Sequence, residues 1–302
     1  MKKSCNKSLK ILWIIFLSLM LMLAFSWLRG GYVTVLGLTG FPLSMMAYWI
    51  VFFVATVFWL KRYAGVLPVW GVVAAVLAGT MSLDIVLRFI LKGGFTSTLI
   101  SLPDFIVRIL AVFAGLWYYK ISRRPGKIAL VALTLLFALW GSYHGFGLWL
   151  NKLSFGTFTG TVSESVGEPL IFSRPDGTVV DLGESGKDYV FLEFWNSRCG
   201  YCFEEMPHCQ QIAEEYAADA RVAVYSVHCR RSDEESEGRG AELIAERGHS
   251  FPSLSIPNDS PLLRSLGVTC YPTAVLIDAN GSIVFRGEIG KGKERLADLL
   301  GR

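Results

Sequence analysis

Two cysteines separated by two residues, Cys199 and Cys202, are the side chains of this sequence best suited to chemistry. A Cys-x-x-Cys pair can cycle between dithiol and disulfide, supply half of a zinc site, or form a static disulfide. The pair follows an apolar run of strand length, 189–195, and precedes a segment with a helical pattern. That context favours redox exchange. A zinc site needs a second ligand pair, and His208 and Cys209 follow on the same predicted helix, where they would mostly point elsewhere.

The position of each cysteine on the predicted helix indicates its role. Residues three apart on a helix share a face, which brings the two side chains close to the separation of a disulfide. Cys199 would stand at the helix N-terminus, where free backbone N–H groups and the helix dipole stabilise a thiolate, and Arg198 adds a positive charge beside it. Cys202 lies one turn further along. The sequence therefore predicts Cys199 as the nucleophile and Cys202 as the resolving thiol.

Composition divides the chain into an apolar first half and a mixed, charged second half. Of the 302 residues, 52% are hydrophobic, which is high for an ordinary soluble protein. Five apolar runs lie near the length of about 20 residues that crosses a bilayer: 11–28, 41–60, 66–91, 104–120 and 128–150. The sequence predicts a cytoplasmic arm at 1–10, an all-α, five-helix transmembrane domain at 11–150, a linker at 151–161 and one soluble domain at 162–302.

Lysine and arginine predict the orientation of these spans. They concentrate on the N-terminal side, after the second run and after the fourth: Lys2, Lys3, Lys7, Lys10, Lys61, Arg62, Lys120, Arg123, Arg124 and Lys127. The opposite side carries only Arg29, Lys92 and Lys152 near the runs. Because positively charged flanks of membrane spans face the cytoplasm, this asymmetry predicts a cytoplasmic N-terminus. The apolar half would then cross the inner membrane several times, and the soluble domain would lie in the periplasm. The net charge of +4 is explained by these flanks and gives no reason to expect nucleic acid.

The second half reads as strands alternating with helices. Pro175-Asp176-Gly177 is a hairpin signal between two short extended runs. Further strands are predicted at 189–195, 221–228, 274–278 and 282–287, and helices after Cys202 and at 232–247, 262–266 and 293–300. This order predicts an α/β domain whose central sheet is covered by helices on both faces.

Three ordered motifs of the second half resemble a known family. They are Phe194-Trp195-Asn196-Ser197-Arg198-Cys199-Gly200-Tyr201-Cys202, Gly267-Val268-Thr269-Cys270-Tyr271-Pro272-Thr273 and Leu276-Ile277-Asp278-Ala279-Asn280-Gly281. Over about 162–302 the chain resembles TlpA/ResA-type thiol–disulfide oxidoreductases of the thioredoxin superfamily. The resemblance implies a thioredoxin-like fold with a mixed central sheet and an N-terminal β-hairpin. It also implies an enzyme that reduces disulfides of partner proteins without a cofactor.

The resemblance also implies roles for three further residues. Pro272 matches a proline that is cis in the family and lies against the disulfide. Glu205 matches the acid of the pattern Cys-x-x-Cys-x-x-Glu-x-Pro, although a solvated acid in the first helical turn is the alternative. Glu193 falls at the place of the buried acid of thioredoxin, on the strand beneath Cys202. Burial should raise the pKa of that carboxyl and suit it to exchange a proton with Cys202.

The chain departs from the family pattern next to the cysteines. Arg198 replaces a tryptophan, and the dipeptide Gly200-Tyr201 lacks the usual proline. Reduction potentials in this superfamily span about −270 to −120 mV and depend on that dipeptide. Disulfide isomerase or oxidase activity therefore remains an alternative to reduction, and so does a redox-regulated membrane sensor or scaffold.

Two other cysteines are candidates for accessory thiols. Cys270 stands near Pro272, at a position where the family usually has glycine, and Cys229 follows the strand predicted at 221–228. Carboxyl ends of parallel strands gather at one edge of a sheet. One hypothesis is therefore a second exposed thiol function, either a Cys229–Cys270 disulfide or a backup thiol at Cys270, and the favoured alternative is two unpaired, partly buried thiols. Cys209 is expected to be a small buried side chain.

The apolar runs contain no cysteine, so they offer no thiol path for electrons across a bilayer. An external electron-donor protein is therefore expected beside the disulfide partners. Asp84 and Arg88, and likewise Asp104 and Arg108, are four residues apart within the runs. Ionisable residues inside a membrane are usually paired, so we expect a salt-bridged lock between two spans, or else a polar pocket.

Overall fold

The chain folds into two compact units, Met1–Leu150 and Asn151–Arg302. The computed structural model describes residues 2–91, 99–231 and 235–302, except the side chains of 2–5, 83–84 and 87–91. The expected Asp84–Arg88 pair lies outside the described side chains. Helices dominate the first unit, and one mixed sheet organises the second.

The first unit consists of long apolar helices: α1 Lys2–Ser26, α2 Gly40–Arg62, α3 Val69–Leu91, α4 Leu102–Lys120 and α5 Arg124–Trp140. Helix α5 continues through a π-helical turn, Gly141–Gly145, into α6 Phe146–Phe155, and a short hairpin of β1 Thr34–Val35 and β2 Leu38–Thr39 follows the first helix.

Four stretches of the described residues are long and apolar enough to cross a membrane: Asn6–Gly30, Gly40–Arg62, Leu102–Lys120 and Arg124–Phe155. Within the third predicted span, the described residues contain an apolar helical stretch, Val69–Ser82, that is shorter than this length. Apolar helices are thus present in the first half, and the count of five spans stays a prediction.

A buried ionic cluster ties helices of the first unit together. The Arg108 guanidinium contacts the Asp104 carboxylate at 2.8 Å, and both side chains are fully buried. Arg29 reaches the same carboxylate at 2.6 Å. Arg108 also donates a hydrogen bond to the backbone oxygen of Thr80 on α3 at 2.5 Å. The predicted Asp104–Arg108 pair is therefore present, and it links α4 to α3.

The second unit is built on an eight-stranded mixed sheet in the described residues, with strand order β3-β10-β9-β6-β7-β8-β4-β5. Its strands are β3 Thr161–Ser165, β4 Ile171–Ser173, β5 Val179–Asp181, β6 Tyr189–Trp195, β7 Val222–Arg230, β8 Ser253–Pro257, β9 Thr273–Asp278 and β10 Ser282–Gly287. Strand β6 runs parallel to β7 and antiparallel to β9. The expected hairpin is β4–β5. A mixed sheet with an N-terminal hairpin is thereby confirmed.

The helices of the second unit are α7 Gly200–Tyr216, α8 Arg239–Glu246, α9 Pro261–Ser265 and α10 Ile289–Leu299. Side chains alternate between the two faces of β6, as the strand period requires. Val190 and Leu192 enter a core with α9, whereas Phe191 packs with residues of α7 and α10. Glu193 has the parity of Phe191 and so faces α7, the helix that begins at the cysteine motif.

Candidate redox site

The two motif cysteines form a disulfide at the start of α7. The S–S distance is 2.06 Å and the Cα–Cα distance is 5.3 Å. Cys199 caps the helix, and its Sγ accepts a hydrogen bond from the backbone N–H of Cys202 at 3.2 Å. Cys202 is 1% exposed, whereas Cys199 is only partly buried. This difference in access matches the predicted order of nucleophile and resolving thiol.

Hydrogen bonds hold the loop that precedes Cys199. The Asn196 side chain accepts from the backbone N–H of Arg198 at 3.0 Å. The hydroxyl of Ser197 donates to Glu235 at 2.5 Å, and the other carboxylate oxygen of Glu235 accepts from the backbone N–H of Arg231 at 2.8 Å. The sequence carries no local signal for this contact, because Ser197 and Glu235 lie 38 residues apart.

The peptide bond between Tyr271 and Pro272 is cis, as the resemblance implies. Tyr271 packs against the hydrophobic cluster that contains Cys202, and its hydroxyl donates to Asn258 at 2.6 Å. Thr273 closes the loop by donating to the backbone oxygen of Cys270 at 2.7 Å. The loop of Pro272 is thus anchored to the core behind the resolving cysteine.

Glu193 is a buried carboxyl, only 4% exposed, on the central strand of the sheet. The Ser226 hydroxyl donates a hydrogen bond to its Oε2 at 2.9 Å, and the Cys209 thiol lines the same cavity. Burial raises the pKa of Glu193 to about 7, while the Ser226 hydroxyl and then the Cys209 thiol oppose the rise. Such a carboxyl can both give and take a proton near neutral pH. Its described hydrogen bond comes from Ser226, so proton transfer to Cys202 stays a prediction.

Glu205 lies on the outer side of α7 between two polar neighbours. Its Oε2 is 2.9 Å from Nδ1 of His208, and burial and then the nearby Glu205 carboxylate raise the pKa of the Tyr201 phenol. The Glu205 side chain is 19% exposed, and Tyr201 is 61% exposed. Glu205 therefore lies close to Tyr201, in the dipeptide between the cysteines, as well as to His208 on the helix.

The hypothesised Cys229–Cys270 disulfide is absent, since both residues are free thiols. Cys229 is completely buried, its Sγ lies 3.9 Å from the backbone oxygen of Val227, and burial raises its pKa to about 12. Cys270 is partly exposed, and its Sγ lies 3.5 Å from the backbone oxygen of Ser154. The two sulfurs thus have different partners. An accessory role for Cys270 stays a prediction, and Cys209 is buried as expected.

Comparison with known proteins identifies a family similar to part of the second unit. Residues 169–286 match the model of the AhpC/TSA family. The thiol-disulfide oxidoreductase ResA of Halalkalibacterium halodurans is 30% identical over 109 residues, which cover 36% of this chain and 58% of that protein. ResA of Geobacillus thermodenitrificans is 29% identical over 144 residues, which cover 45% of this chain and 79% of that protein. The chain thus spans less than two thirds of the first of these relatives.

Several solved structures are also similar to part of this chain. A thiol:disulfide interchange protein from Bacteroides sp. superposes with a TM-score of 0.40 and 20% identity, covering 47% of this chain and 93% of that one. The pneumococcal exposed lipoprotein thioredoxin from Streptococcus pneumoniae gives a TM-score of 0.36 and 25% identity, covering 43% and 99%. By its strand order, its disulfide and its family match, the second unit is a thioredoxin-like domain similar to the ResA thiol–disulfide oxidoreductases.

Proposed function

We propose that this chain is a membrane-anchored thiol–disulfide oxidoreductase that reduces disulfides of partner proteins through Cys199 and Cys202. The observation that carries the proposal is the arrangement of the pair. A partly accessible sulfur caps a helix and accepts a backbone N–H, and its partner sulfur is buried behind it. Similarity to ResA proteins supports the same chemistry.

The reduction begins with the thiolate of Cys199. It attacks one sulfur of the partner's disulfide, and the other sulfur of the partner leaves as a thiolate. Cys202, once deprotonated, attacks Cys199, and the second sulfur of the partner leaves. The partner gains two electrons, and the chain ends with the Cys199–Cys202 disulfide. The N–H of Cys202 and the helix N-terminus lower the free energy of the attacking thiolate.

The remaining site residues are assigned supporting roles in this proposal. Glu193 takes the proton of Cys202 before the second step and returns it in the reverse reaction, which a pKa of about 7 suits. Glu205, close to Tyr201 and His208, is the second acid of the site. Pro272 forms the wall against which a partner peptide lies.

We further propose that the apolar first half anchors the enzyme in the inner membrane, with the arm 1–10 in the cytoplasm and the domain 162–302 in the periplasm. The asymmetry of lysine and arginine supports this orientation. Because the apolar runs lack cysteine, electrons must come from a separate donor protein. The partners are then periplasmic proteins, the donor protein and the lipid bilayer.

Trapping of mixed disulfides tests the proposal. In a Cys202→Ala variant of the full chain the second step cannot occur, so Cys199 should remain covalently bound to its partners. These adducts should disappear on reduction and should be missing from the matched Cys199→Ala variant. The proposal fails if Cys202→Ala yields no adducts and the wild-type chain does not reduce a disulfide substrate such as insulin.

A further inference from the structure

The carboxyl of Glu193 lines a small cavity between the sheet and α7. Glu193 is the register partner of Ser226 on the neighbouring parallel strand, which places the hydroxyl 2.9 Å from the carboxylate. Cys209 of α7 faces the same cavity and is 5% exposed. The remaining lining is mostly apolar, with Phe191 and Phe251 among its members. In the described part of the chain, the polar side chains that lower the pKa of this carboxyl are therefore a hydroxyl that donates to it and a thiol that lines the same cavity.

The charges around this cavity make those two neutral donors important. The ionisable groups that act on Glu193 are Cys209 and Glu205 of α7, and Cys229 of β7 lies within electrostatic reach. All three are acids, so among the described groups that act on this carboxyl none supplies a positive charge. A buried carboxylate without a cation is stabilised mainly by the hydrogen bonds it accepts.

The Cys209 thiol is suited to donate rather than to ionise. Burial, and then the neighbouring Glu193 carboxylate, raise the pKa of this thiol well above its ordinary value. It therefore keeps its proton wherever Glu193 titrates. Cys209 also lies seven residues after Cys202, which places it two turns further along the same face of α7. The helix that carries the resolving cysteine thus also carries a donor to the proposed proton acceptor.

We propose that Cys209 and Ser226 are positioning residues that hold the Glu193 carboxyl and set the pH at which it exchanges its proton. The inference rests on the proposed function only in giving Glu193 its catalytic purpose. The thiol and the hydroxyl each stabilise the carboxylate, and without them Glu193 would remain protonated at higher pH. A protonated Glu193 could not take the proton of Cys202, so the resolving step would slow at neutral pH.

Titration of the full chain in detergent micelles tests this assignment directly. The infrared band of the protonated carboxyl, identified by its loss in Glu193→Gln, reports the midpoint of Glu193 in the oxidised protein and needs no enzymatic activity. Loss of one hydrogen bond of about 1 kcal/mol should raise that midpoint by roughly 0.5 to 1 pH unit. We expect this increase in Cys209→Ala and in Ser226→Ala. The matched variant Cys209→Ser keeps a donor and should restore most of the wild-type midpoint.

The rate of the resolving step supplies the second readout. Single-turnover reduction of a fluorescent glutathione disulfide by the pre-reduced chain should show a pH step that moves with the infrared midpoint. An unchanged midpoint in both alanine variants, with circular dichroism confirming their fold, would overturn the assignment and leave the proposed function intact. If the wild type shows no exchange at all, the proposed function fails, while the infrared midpoints still decide the roles of Cys209 and Ser226.

Discussion

Replacing Glu193 with glutamine should change how the stability of the second unit depends on pH. The folded-state pKa of Glu193 is about 7, against an ordinary value of 4.5. The folded chain therefore binds this proton more tightly than the unfolded chain does. As pH rises from 4.5 to 7, the unfolded chain ionises first, and stability is lost. A pKa difference of about 2.5 corresponds to about 3 kcal/mol once both states are ionised.

The wild-type chain should accordingly lose about 2 to 3 kcal/mol of unfolding free energy between roughly pH 5 and pH 8 through this residue. The Glu193→Gln variant has no charge to bury and should lack this loss. Its unfolding free energy should therefore increase relative to that of the wild type as pH rises. Pulse proteolysis of the full chain in urea and detergent measures the unfolding free energy, provided that fragments of 151–302 are the ones quantified.

A second acid on the neighbouring helix gives a matched control. Glu204 is exposed on α7, so Glu204→Gln should follow the wild-type dependence on pH. Equal slopes for wild type and Glu193→Gln over this pH range would refute the reasoning. That result would mean that the carboxyl ionises in the folded protein as readily as it does in water.

Two further predictions concern contacts that are remote from the disulfide in sequence. The Glu235→Ala variant loses a charged acceptor of two hydrogen bonds, so its unfolding free energy should fall by about 1.5 to 3 kcal/mol. Amide hydrogen exchange in the loop of Ser197 should become faster. Unchanged exchange would contradict this role. Asp104→Asn removes the carboxylate that both Arg29 and Arg108 contact, and should destabilise the first unit by about 3 kcal/mol. The thermal unfolding midpoint of the full chain in detergent measures this destabilisation. The Asp104→Glu variant keeps a carboxylate, so its midpoint should fall less. An Asp104→Asn midpoint equal to that of the wild type would exclude a stabilising role.

Strand β6 and the disulfide were predictable because their signals are local. The apolar run 189–195 has clear ends, and the structure gives the same bounds, Tyr189–Trp195. Edge strand Thr161–Ser165 was missed because its side chains are mostly exposed and show no apolar alternation. Strand Ser253–Pro257 was missed although Leu254 and Ile256 alternate with serine, since the run is short and bounded by prolines.

The surroundings of Glu193 were only partly predictable. Its burial follows from its place inside an apolar strand, and its raised pKa follows from that burial. Its partner Cys209 was read only as a small buried side chain. Spacing from Cys202 gives the helix face on which Cys209 lies, but the strand residue opposite depends on how α7 packs on the sheet. The hypothesis of a Cys229–Cys270 disulfide was wrong for a similar reason, because the fold places the Cys270 sulfur against the backbone oxygen of Ser154 and the Cys229 sulfur against that of Val227.

The reduction potential of the Cys199–Cys202 pair in the full chain tests the central claim most directly. The chain is equilibrated with glutathione buffers, its thiols are alkylated, and the peptide that contains both cysteines is quantified by mass spectrometry. We predict a reversible two-electron transition with a midpoint between about −270 and −120 mV, and a value near the lower end for a reductase. A value near −120 mV would favour the oxidase or isomerase alternative. A pair that stays oxidised until below about −300 mV would be a static disulfide and would contradict the account.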